Sequence, residues 1–337
     1  MTKNIEASKM VYTPQEVAKY GLDAIRNMAG KKSRGAKLNI PEIRDYLAPV
    51  LPGQLCAIIA QTSNYKSGMM HFWERKLAEQ LVEENRLDEA IIHVSVEECA
   101  EEQAFLYLAR EIGGDPGKLA RGEVQDWGKL EEAATRVGNI PIYRIGDSIA
   151  RAEDMPELYL SNMIRSITAL VKGEVTGQVV KPAALFFDYL QAFPFDPEVK
   201  RANAVDQRRL QVREDIYRLR QAATYFDCPV IVGVQAKQHL DGAPSDNFQL
   251  PGIYDGEESS AIAQRADRII TQWMPKMTHP VNTEIEHNGV RFKVRENQLF
   301  VKIAKQRGGL PSGKNWACVI DFNNNSIGPD TSFGMQP

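Results

Sequence analysis

The stretch Ala60-Gln61-Thr62-Ser63-Asn64-Tyr65-Lys66-Ser67 decides the fold, because it directly follows the apolar residues 55–59. A strand that breaks into small polar residues and then a Lys-Ser pair has the layout of a phosphate-binding loop. Backbone N–H groups and the positive end of the next helix hold phosphates in such a loop. The lysine reaches the outer phosphates, and the serine hydroxyl binds Mg²⁺. The predicted nucleotide-binding residues are Thr62, Ser63, Asn64, Tyr65, Lys66 and Ser67.

Two positions of this stretch depart from the usual pattern. Tyr65 stands where a glycine normally precedes the lysine, and Ala60 stands where the first glycine is common. Glycine permits a close backbone approach and positive φ angles. A tyrosine there would shield the phosphates, shift the loop or abolish binding. The meaning of the loop therefore depends on what the rest of the chain supplies.

Composition indicates an ordinary globular chain, with 43% hydrophobic and 25% charged residues among 337. The net charge of −3 argues against a protein that coats nucleic acid by bulk charge. The four cysteines are Cys56, Cys99, Cys228 and Cys318. Their wide spacing predicts buried thiols in a reducing compartment rather than zinc ligands or disulfides. With no membrane-length apolar run and no signal peptide, we expect a cytoplasmic protein without a membrane partner.

Strands and helices alternate from residue 51 onward, which predicts an α/β fold with a mostly parallel sheet. We assign residues 36–328 to this domain, residues 1–12 to a disordered tail and residues 329–337 to a C-terminal tail. Residues 13–35 are expected to form a helix and a linker, since Thr13-Pro14-Gln15-Glu16 is a capped helix start. This helix either packs on its own domain or docks on a neighbouring subunit.

Polar residues at strand ends supply the other parts of a nucleotide-hydrolysing site. Asp188 closes an apolar strand and suits Mg²⁺, and Glu97 follows another strand and suits a base for water. Gln235 ends a third strand, where it can sense a γ-phosphate. Lys305 and Arg307 precede a glycine turn and suit a finger that reaches a phosphate. Each also has an ordinary explanation, such as a strand-ending acid or a solvated turn, so their order along the chain matters.

That order resembles the C-terminal ATPase domain of DnaB-type replicative helicases, a branch of the RecA-like fold. The matching segments are residues 51–55, 95–97, 118–122, 140–143, 188–191, 229–235, 255–267 and 305–308. The resemblance covers roughly residues 36–325. It implies a RecA-like P-loop NTPase core with a twisted sheet flanked by helices. To this core the chain adds an N-terminal linker-type helix and an inserted β-hairpin with its turn at Asn288-Gly289.

The resemblance also implies the cofactors ATP and Mg²⁺ and a role for each site residue. Lys66 would contact phosphate, while Ser67 and Asp188 would hold Mg²⁺. Glu97 would be the general base or water positioner, and Gln235 would be the sensor.

Other roles implied by the resemblance need a second subunit. Lys305 and Arg307 would act in trans, on nucleotide bound to the neighbouring subunit. The partner is therefore expected to be a second copy of the chain in a homo-oligomeric ring, with a hexamer as the expected form. Residues 14–29 match the linker helix that docks on the adjacent ATPase domain. The globular N-terminal domain of those helicases has no counterpart in the forty or so residues before this domain.

A modest excess of basic residues lies between the Asp188 and Gln235 strands. Either these residues form a solvated helix face, or they face a pore and hold the phosphates of single-stranded DNA. Lys237 heads a second candidate loop, whose nearby acidic residues weaken the DNA interpretation. The predicted DNA-binding residues are Lys200, Arg201, Arg208, Arg209 and Lys237.

Two functions of different classes follow. The first is a DnaB-like ATP-dependent helicase or translocase that moves on single-stranded DNA as a ring. It would serve the replication of a phage, plasmid or mobile element, together with other replication proteins. The alternative is a nucleotide-binding scaffold or regulator of the same fold, with weak or absent hydrolysis, that recruits partner proteins. A recombinase-like filament on DNA is a third hypothesis.

Overall fold

The computed structural model describes residues 13–29, 35–148, 157–196, 204–237, 250–256, 260–287, 290–309 and 314–332. Its helices are α1 (Pro14–Ala29), α2 (Lys66–Glu83), α3 (Ala100–Ile112), α4 (Pro116–Ala120), α5 (Trp127–Gly138), α6 (Leu160–Val171), α7 (Ala204–Tyr225) and α8 (Ala261–Arg265). Its strands are β1 (Leu55–Ala60), β2 (Glu89–Ser95), β3 (Ile142–Gly146), β4 (Lys181–Asp188), β5 (Val230–Gln235), β6 (Arg268–Trp273), β7 (Glu284–His287), β8 (Val290–Lys293), β9 (Gln298–Gln306), β10 (Asn315–Asp321) and β11 (Ser326–Pro329). The tail predicted at residues 1–12 lies outside the described residues.

Nine strands form one sheet in the order β11-β10-β9-β6-β1-β5-β4-β2-β3. At the centre, β1 pairs in parallel with both β5 and β6. The strands from β6 to β3 in this order are parallel, whereas β9, β10 and β11 extend the sheet in antiparallel pairs. The prediction of a mostly parallel α/β sheet is therefore confirmed.

The sheet is buried on both faces, which explains why its central strands are apolar throughout. In β1, Leu55, Ala57 and Ile59 face the core formed with α6 and α7. The alternate residues Cys56 and Ile58 face the opposite core, which α2 and the segment before β1 complete. Side chains of successive strand residues point to opposite faces, so both helical layers pack on the same strand.

The antiparallel edge of the sheet extends further than the sequence predicts. β9 runs to Gln306 and so includes Lys305, which the sequence places after the strand. The sequence does not predict β11, which crosses residue 328, the expected end of the domain. Beyond β11, the buried carboxylate of Asp330 forms an ion pair with Arg295. The ordered edge therefore continues into the predicted C-terminal tail.

The predicted β-hairpin is present as the separate pair of antiparallel strands β7 and β8. Its turn residues 288–289 lie outside the described residues. Ile285 and Phe292 of the hairpin pack against Trp273 and Phe300, which belong to β6 and β9. The hairpin is thus anchored to the main sheet through its own small apolar cluster.

The N-terminal helix α1 begins with the capping pattern that the sequence predicts. The Thr13 hydroxyl accepts the N–H of Glu16, and the Glu16 carboxylate accepts the N–H of Thr13 at 2.7 Å. Its apolar side chains Val17, Leu22 and Ile25 are 59%, 47% and 60% exposed. No helix in the described part of the chain is long and apolar enough to cross a membrane.

We expect the free energy of unfolding to fall by about 3–5 kcal/mol in Phe186→Ala, because a fully buried ring leaves a cavity. Phe186 lies in β4 and contacts Trp73 of α2 edge to face, with centroids 6.2 Å apart. The control is Leu87→Ala, at a side chain 72% exposed, where the change should stay within about 0.5 kcal/mol. Denaturant unfolding measures both, and equal losses would contradict the assigned core.

Candidate nucleotide-binding site

Four predicted site segments meet at one edge of the sheet, because β1, β2, β4 and β5 are parallel and their carboxyl ends coincide. The register pairs Ala60 at the end of β1 with Gln235 at the end of β5. It also pairs Ser95 at the end of β2 with Asp188 at the end of β4. The structure thus brings the phosphate-type loop, the acidic residue and the glutamine together.

The loop after β1 is held in shape by Asn64, whose side chain is buried. Its amide nitrogen donates to the Thr62 carbonyl at 3.0 Å, and its amide oxygen accepts the N–H of Met274 at 2.8 Å. Gln272 donates to the Asn64 carbonyl at 2.6 Å. The Asn64 side chain, which the sequence predicts to bind nucleotide, is therefore committed to joining the loop to β6. Thr62 and Ser63 lie exposed on the loop.

Tyr65 keeps the backbone conformation that a glycine would supply. Its φ of 63° and ψ of 28° lie in the left-handed region, directly before the start of α2 at Lys66. The ring packs on Gly68 so closely that a Cβ atom there would lie 2.5 Å from it. The Tyr65 hydroxyl donates to the Asn325 side chain, and the ring meets Phe322 edge to face at 5.8 Å. Tyr65 thus joins the loop to the turn between β10 and β11.

Lys66 and Asp188 form the polar centre of the site. The Lys66 ammonium lies 3.7 Å from the centroid of the Tyr189 ring, a cation–π contact. Burial lowers the pKa of Lys66, against the attraction of Asp188, Glu97 and Glu98. Asp188 is 2% exposed, and its Oδ1 has no hydrogen-bond partner in the described part of the chain. A buried carboxylate oxygen left free in this way suits a cation.

Gly233 provides the space for both of these side chains. A Cβ atom at this position in β5 would lie 3.0 Å from Asp188 Oδ1 and 3.2 Å from Lys66 Cδ. A methyl group there would press on both side chains, so at least one of them would have to shift by a few tenths of an ångström. With the half-buried hydroxyl of Ser67 at the start of α2, the oxygen donors fit a Mg²⁺ site, because Mg²⁺ prefers oxygen ligands.

Glu97 lies on the turn that follows β2 and is exposed to solvent. The Ser95 hydroxyl shapes this turn by accepting the N–H groups of Glu97 at 3.3 Å and Glu98 at 3.0 Å. Although Glu97 is exposed, the surrounding protein removes part of its water and so raises its pKa, and Lys66 opposes this while Asp188 and Glu98 add to it. A higher pKa makes a carboxylate a better proton acceptor near neutral pH. The environment therefore suits the predicted role toward water.

Gln235 connects the loop to the ends of the neighbouring strands. Its side-chain amide donates to the Thr62 hydroxyl at 3.0 Å. Its backbone N–H donates to the Gln191 side chain at 3.0 Å, and Gln191 donates back to its carbonyl at 3.3 Å. A movement of the loop would therefore be passed through these hydrogen bonds to the turn after β4.

Lys305 and Arg307 lie beside the start of β1, at the opposite end of the central strands from the loop. Gln306 between them pairs with Arg268, which pairs with Cys56 at the start of β1. The length of β1, roughly 20 Å, therefore separates them from the loop of their own chain. Lys305 donates to the Ala263 carbonyl at 2.5 Å, and Arg307 lies 3.4 Å from the carboxylate of Asp267. The structure does not bring this pair into the site of the same chain.

The predicted DNA-binding residues lie on several segments of the chain. Lys200 and Arg201 lie outside the described residues. Arg208 donates to the carbonyls of Gln191 and Phe193. These hydrogen bonds join Arg208 to the turn after β4, and DNA binding by Arg208 stays a prediction.

The two remaining cations lie on different segments. Arg209 is exposed on α7, and Lys237 follows β5 and donates to the Tyr254 carbonyl at 3.3 Å. DNA binding by these residues stays a prediction.

The sequence places Gly233, Gln191 and Ser95 in segments that resemble the family, but it assigns none of them a role in the site. Gly233 lies inside an apolar strand, where nothing in the sequence shows which side chains its missing Cβ would meet. Gln191 ends the Asp188-Tyr189-Leu190-Gln191 segment, and its glutamine partner across the strands becomes evident only from the register. Ser95 directly precedes the glutamate turn, and this spacing was the one available signal.

A mostly parallel sheet whose central strand leads into a phosphate-type loop and a Lys-Ser helix start defines the RecA-like class of P-loop folds. Residues 37–322 match the family model described as the DnaB-like helicase C terminal domain. Because this match spans most of the sequence, the chain belongs to that family.

Solved structures similar to this chain have the same fold. A structure described as a DnaB-like replicative helicase and its interactions with primase is 19% identical with a TM-score of 0.67, covering 94% of this chain and 67% of that chain. A second structure, described as an ATPase domain, is 19% identical with a TM-score of 0.68, covering 95% of this chain and 99% of that chain. Comparison with curated protein sequences gave no match.

Gly233→Ala should weaken binding of Mg²⁺-nucleotide by about tenfold or more, because the new methyl group displaces Asp188 or Lys66. Titration with a fluorescent ATP analogue and Mg²⁺ measures this. The matched control is Gly138→Ala at the end of α5, where a Cβ meets nothing within 4 Å. Equal affinity in both variants would show that the Gly233 position does not shape the site.

Tyr65→Gly should be more stable than Tyr65→Ala by about 1 kcal/mol, because both lose the ring but only glycine accepts a positive φ without strain. Thermal or denaturant unfolding of the two variants gives the difference directly. Equal stability, or greater stability of the alanine variant, would contradict the left-handed conformation at this position.

Proposed function

We propose that this chain is an ATP-hydrolysing motor of the DnaB-like family that moves on single-stranded DNA as a homo-oligomeric ring. One observation carries the proposal: the buried carboxylate oxygen of Asp188 lies without a hydrogen-bond partner in the described part of the chain, beside the ammonium of Lys66. A permanently unused buried acceptor costs stability, so its place beside a phosphate-type loop indicates a bound cation. Glu97 and Gln235 at the same edge supply the remaining parts of a hydrolytic site.

The residues of the loop and strand ends would divide the chemistry among themselves. The loop N–H groups, the start of α2 and Lys66 would bind the phosphates. Ser67 and Asp188 would hold Mg²⁺, which neutralises charge on the phosphates when bound. Glu97 would orient the attacking water and accept its proton, which its raised pKa favours.

Gln235 would report the state of the nucleotide to the rest of the molecule. Its amide touches the Thr62 hydroxyl on the loop, and its backbone exchanges hydrogen bonds with Gln191. Arg208 donates to the Gln191 carbonyl, so α7 is connected to the same network. The segments after β4 and β5 carry the predicted DNA-binding residues. Nucleotide hydrolysis would therefore move the residues that hold DNA.

The neighbouring subunit would complete each site with Lys305 and Arg307. Both lie at the sheet edge opposite the loop, so within one chain they cannot reach the nucleotide. The exposed apolar side chains of α1 suit a contact between subunits. A ring, expected to be a hexamer, would satisfy both features. Its setting would be the replication of a phage, plasmid or mobile element, with other replication proteins as partners.

One observation favours a second function, a nucleotide-binding scaffold with weak hydrolysis. The ring and hydroxyl of Tyr65 join the phosphate-type loop to Phe322 and Asn325. This attachment restrains the loop backbone, which a glycine at position 65 would leave freer to move. A scaffold would retain ATP binding and assembly without turnover that responds to DNA.

ATP turnover with and without single-stranded DNA separates these functions. A motor should hydrolyse ATP faster with DNA, and Glu97→Gln should lower kcat by about 10² or more while leaving nucleotide binding intact. Lys66→Ala should weaken binding itself. ATP binding without DNA-stimulated turnover in the unaltered protein would reject the motor and support the scaffold.

Mixing two inactive variants tests whether Lys305 and Arg307 act on the nucleotide of the neighbouring subunit. Lys66→Ala removes a site, and Arg307→Ala removes a finger, so neither alone should turn over ATP. An equal mixture that exchanges subunits should recover about a quarter of full turnover, because that share of interfaces joins an intact site to an intact finger. The control mixes Lys66→Ala with the Lys66→Ala/Arg307→Ala double variant, which has no intact site. Absence of recovery despite subunit exchange would reject the trans arrangement.

A further inference from the structure

A buried polar cluster lies beside the nucleotide site and belongs to none of the roles above. Its centre is Glu74 of α2, whose side chain is completely buried. The Glu74 carboxylate binds His71 at 3.0 Å, His93 at 2.6 Å, Tyr107 at 2.6 Å and Arg144 at 2.8 Å. These partners come from α2, β2, α3 and β3, so one carboxylate joins four elements of the fold.

The hydrogen bonds determine the charge of His71. Its Nδ1 lies 3.0 Å from Glu74, and its Nε2 lies 2.9 Å from Glu98. An ionised carboxylate only accepts hydrogen bonds, so both ring nitrogens must carry a proton and the ring is positively charged. Burial opposes this charge, but the hydrogen bonds to Glu74 and Glu98 prevail and raise the pKa of His71 to about 9.

The rest of the cluster is consistent with that assignment. His71 and Arg144 carry two positive charges, which balance the carboxylates of Glu74 and Glu98. Burial lowers the pKa of His93, so this ring is neutral and donates its Nδ1 proton to Glu74. Neutral pairing of buried charges is what a low-dielectric interior requires.

A metal ion is the competing explanation, because His71, Glu74 and His93 are all metal-ligand types and lie together. Ligands of a tetrahedral zinc ion keep their donor atoms about 3.3 Å apart, given zinc–nitrogen distances of about 2.0–2.1 Å. Here the donor atoms lie 2.6 and 3.0 Å apart, which are hydrogen-bond distances. The guanidinium of Arg144 also forms an ion pair with the Glu74 carboxylate, at 2.8 Å. The distances are therefore those of a hydrogen-bonded cluster and not those of a zinc site.

Glu98 connects this cluster to the catalytic turn. It directly follows Glu97, and both of their N–H groups donate to the Ser95 hydroxyl. Its side chain binds His71, which lies just over one turn of α2 after Lys66. The turn that carries Glu97 is thus tied to the same rigid helix that carries the phosphate-binding lysine.

We propose that His71 and Glu98 are positioning residues, whose charged hydrogen bond holds Glu97 at a fixed place relative to Lys66. Charge-assisted hydrogen bonds are roughly twice as strong as neutral ones, so this pair restrains an otherwise exposed turn. Misplacement of a catalytic group by about 1 Å lowers turnover by up to about 10². The inference rests on the proposed function, because it assigns these residues to the reaction in which Glu97 acts.

Steady-state ATP turnover of Glu98→Ala and Glu98→Gln tests the positioning role. In Glu98→Ala, kcat should fall about tenfold or more while KM for ATP stays within about twofold. In Glu98→Gln, most of kcat should return, because the amide oxygen still accepts the proton of His71. The matched control is Glu123→Ala, which removes a surface carboxylate paired with Arg121 and should leave kcat unchanged. A wild-type kcat in Glu98→Ala, or an equal loss in the glutamine variant, overturns the proposal.

The charge of His71 has a test that needs no turnover. Nitrogen-15 NMR of the histidine rings, followed from pH 6 to 10, should show His71 fully protonated at pH 7.5 and titrating near pH 9. The groups that face this ring are Glu74, Glu98, His93 and Tyr107, and Arg144 donates to the Glu74 carboxylate. Titration near pH 6.5, or stoichiometric zinc by elemental analysis, overturns the charged pair.

The turnover and NMR experiments distinguish failure of the proposed motor function from failure of the positioning role. If the unaltered protein binds but does not hydrolyse ATP, the proposed motor fails, and the NMR titration still decides whether the charged pair exists. If it hydrolyses ATP but Glu98→Ala matches it in kcat, the positioning role fails and the motor stands.

Discussion

Parallel hydrogen bonding between β1 and its neighbours is the constraint on which the rest of the structure depends. Because the strands run in one direction, the loop, Glu97, Asp188 and Gln235 reach the same edge of the sheet although they lie far apart in sequence. Burial on both faces then fixes the register. A slip of one residue would move the side chains packed on α7 to the side of α2. The geometry of the site is well defined, because any other strand register would expose apolar side chains of both layers.

α2 converts this register into a rigid support for chemistry. At its start, Tyr65 is attached to the turn between β10 and β11. About two and a half turns later, Glu74 is attached to β2, α3 and β3. The left-handed strain of Tyr65 and the desolvation of Glu74 are both unfavourable, and packing and paired charges offset them. Lys66 is therefore held rigidly with respect to β2 and β3, whereas Gln235 is hydrogen-bonded to the turn after β4.

The sequence predicted the sheet and the strand-end residues, because buried parallel strands are recognisable apolar runs and their carboxyl ends must coincide. It failed where an answer depends on what lies across the structure. Lys305 belongs to β9, since pairing with β6 extends the strand beyond its apolar part. The contacts of Arg208 with the turn after β4 have no signal in the sequence, and its predicted role toward DNA stays a prediction. The environment of His71 is assembled from four elements, and no periodicity of one element reveals it.

The separation of the loop from Lys305 and Arg307 across the sheet gives each subunit two unlike ends. In the proposed trans arrangement, two subunits joined end to end by a twofold axis would bring loop to loop or finger to finger, and neither pairing would complete a site. Only head-to-tail addition joins unlike ends. Every open row of copies then leaves one empty loop at one end and one idle finger at the other. In the proposed trans arrangement, closing the row into a circle is the single step that would add a complete site without adding a subunit.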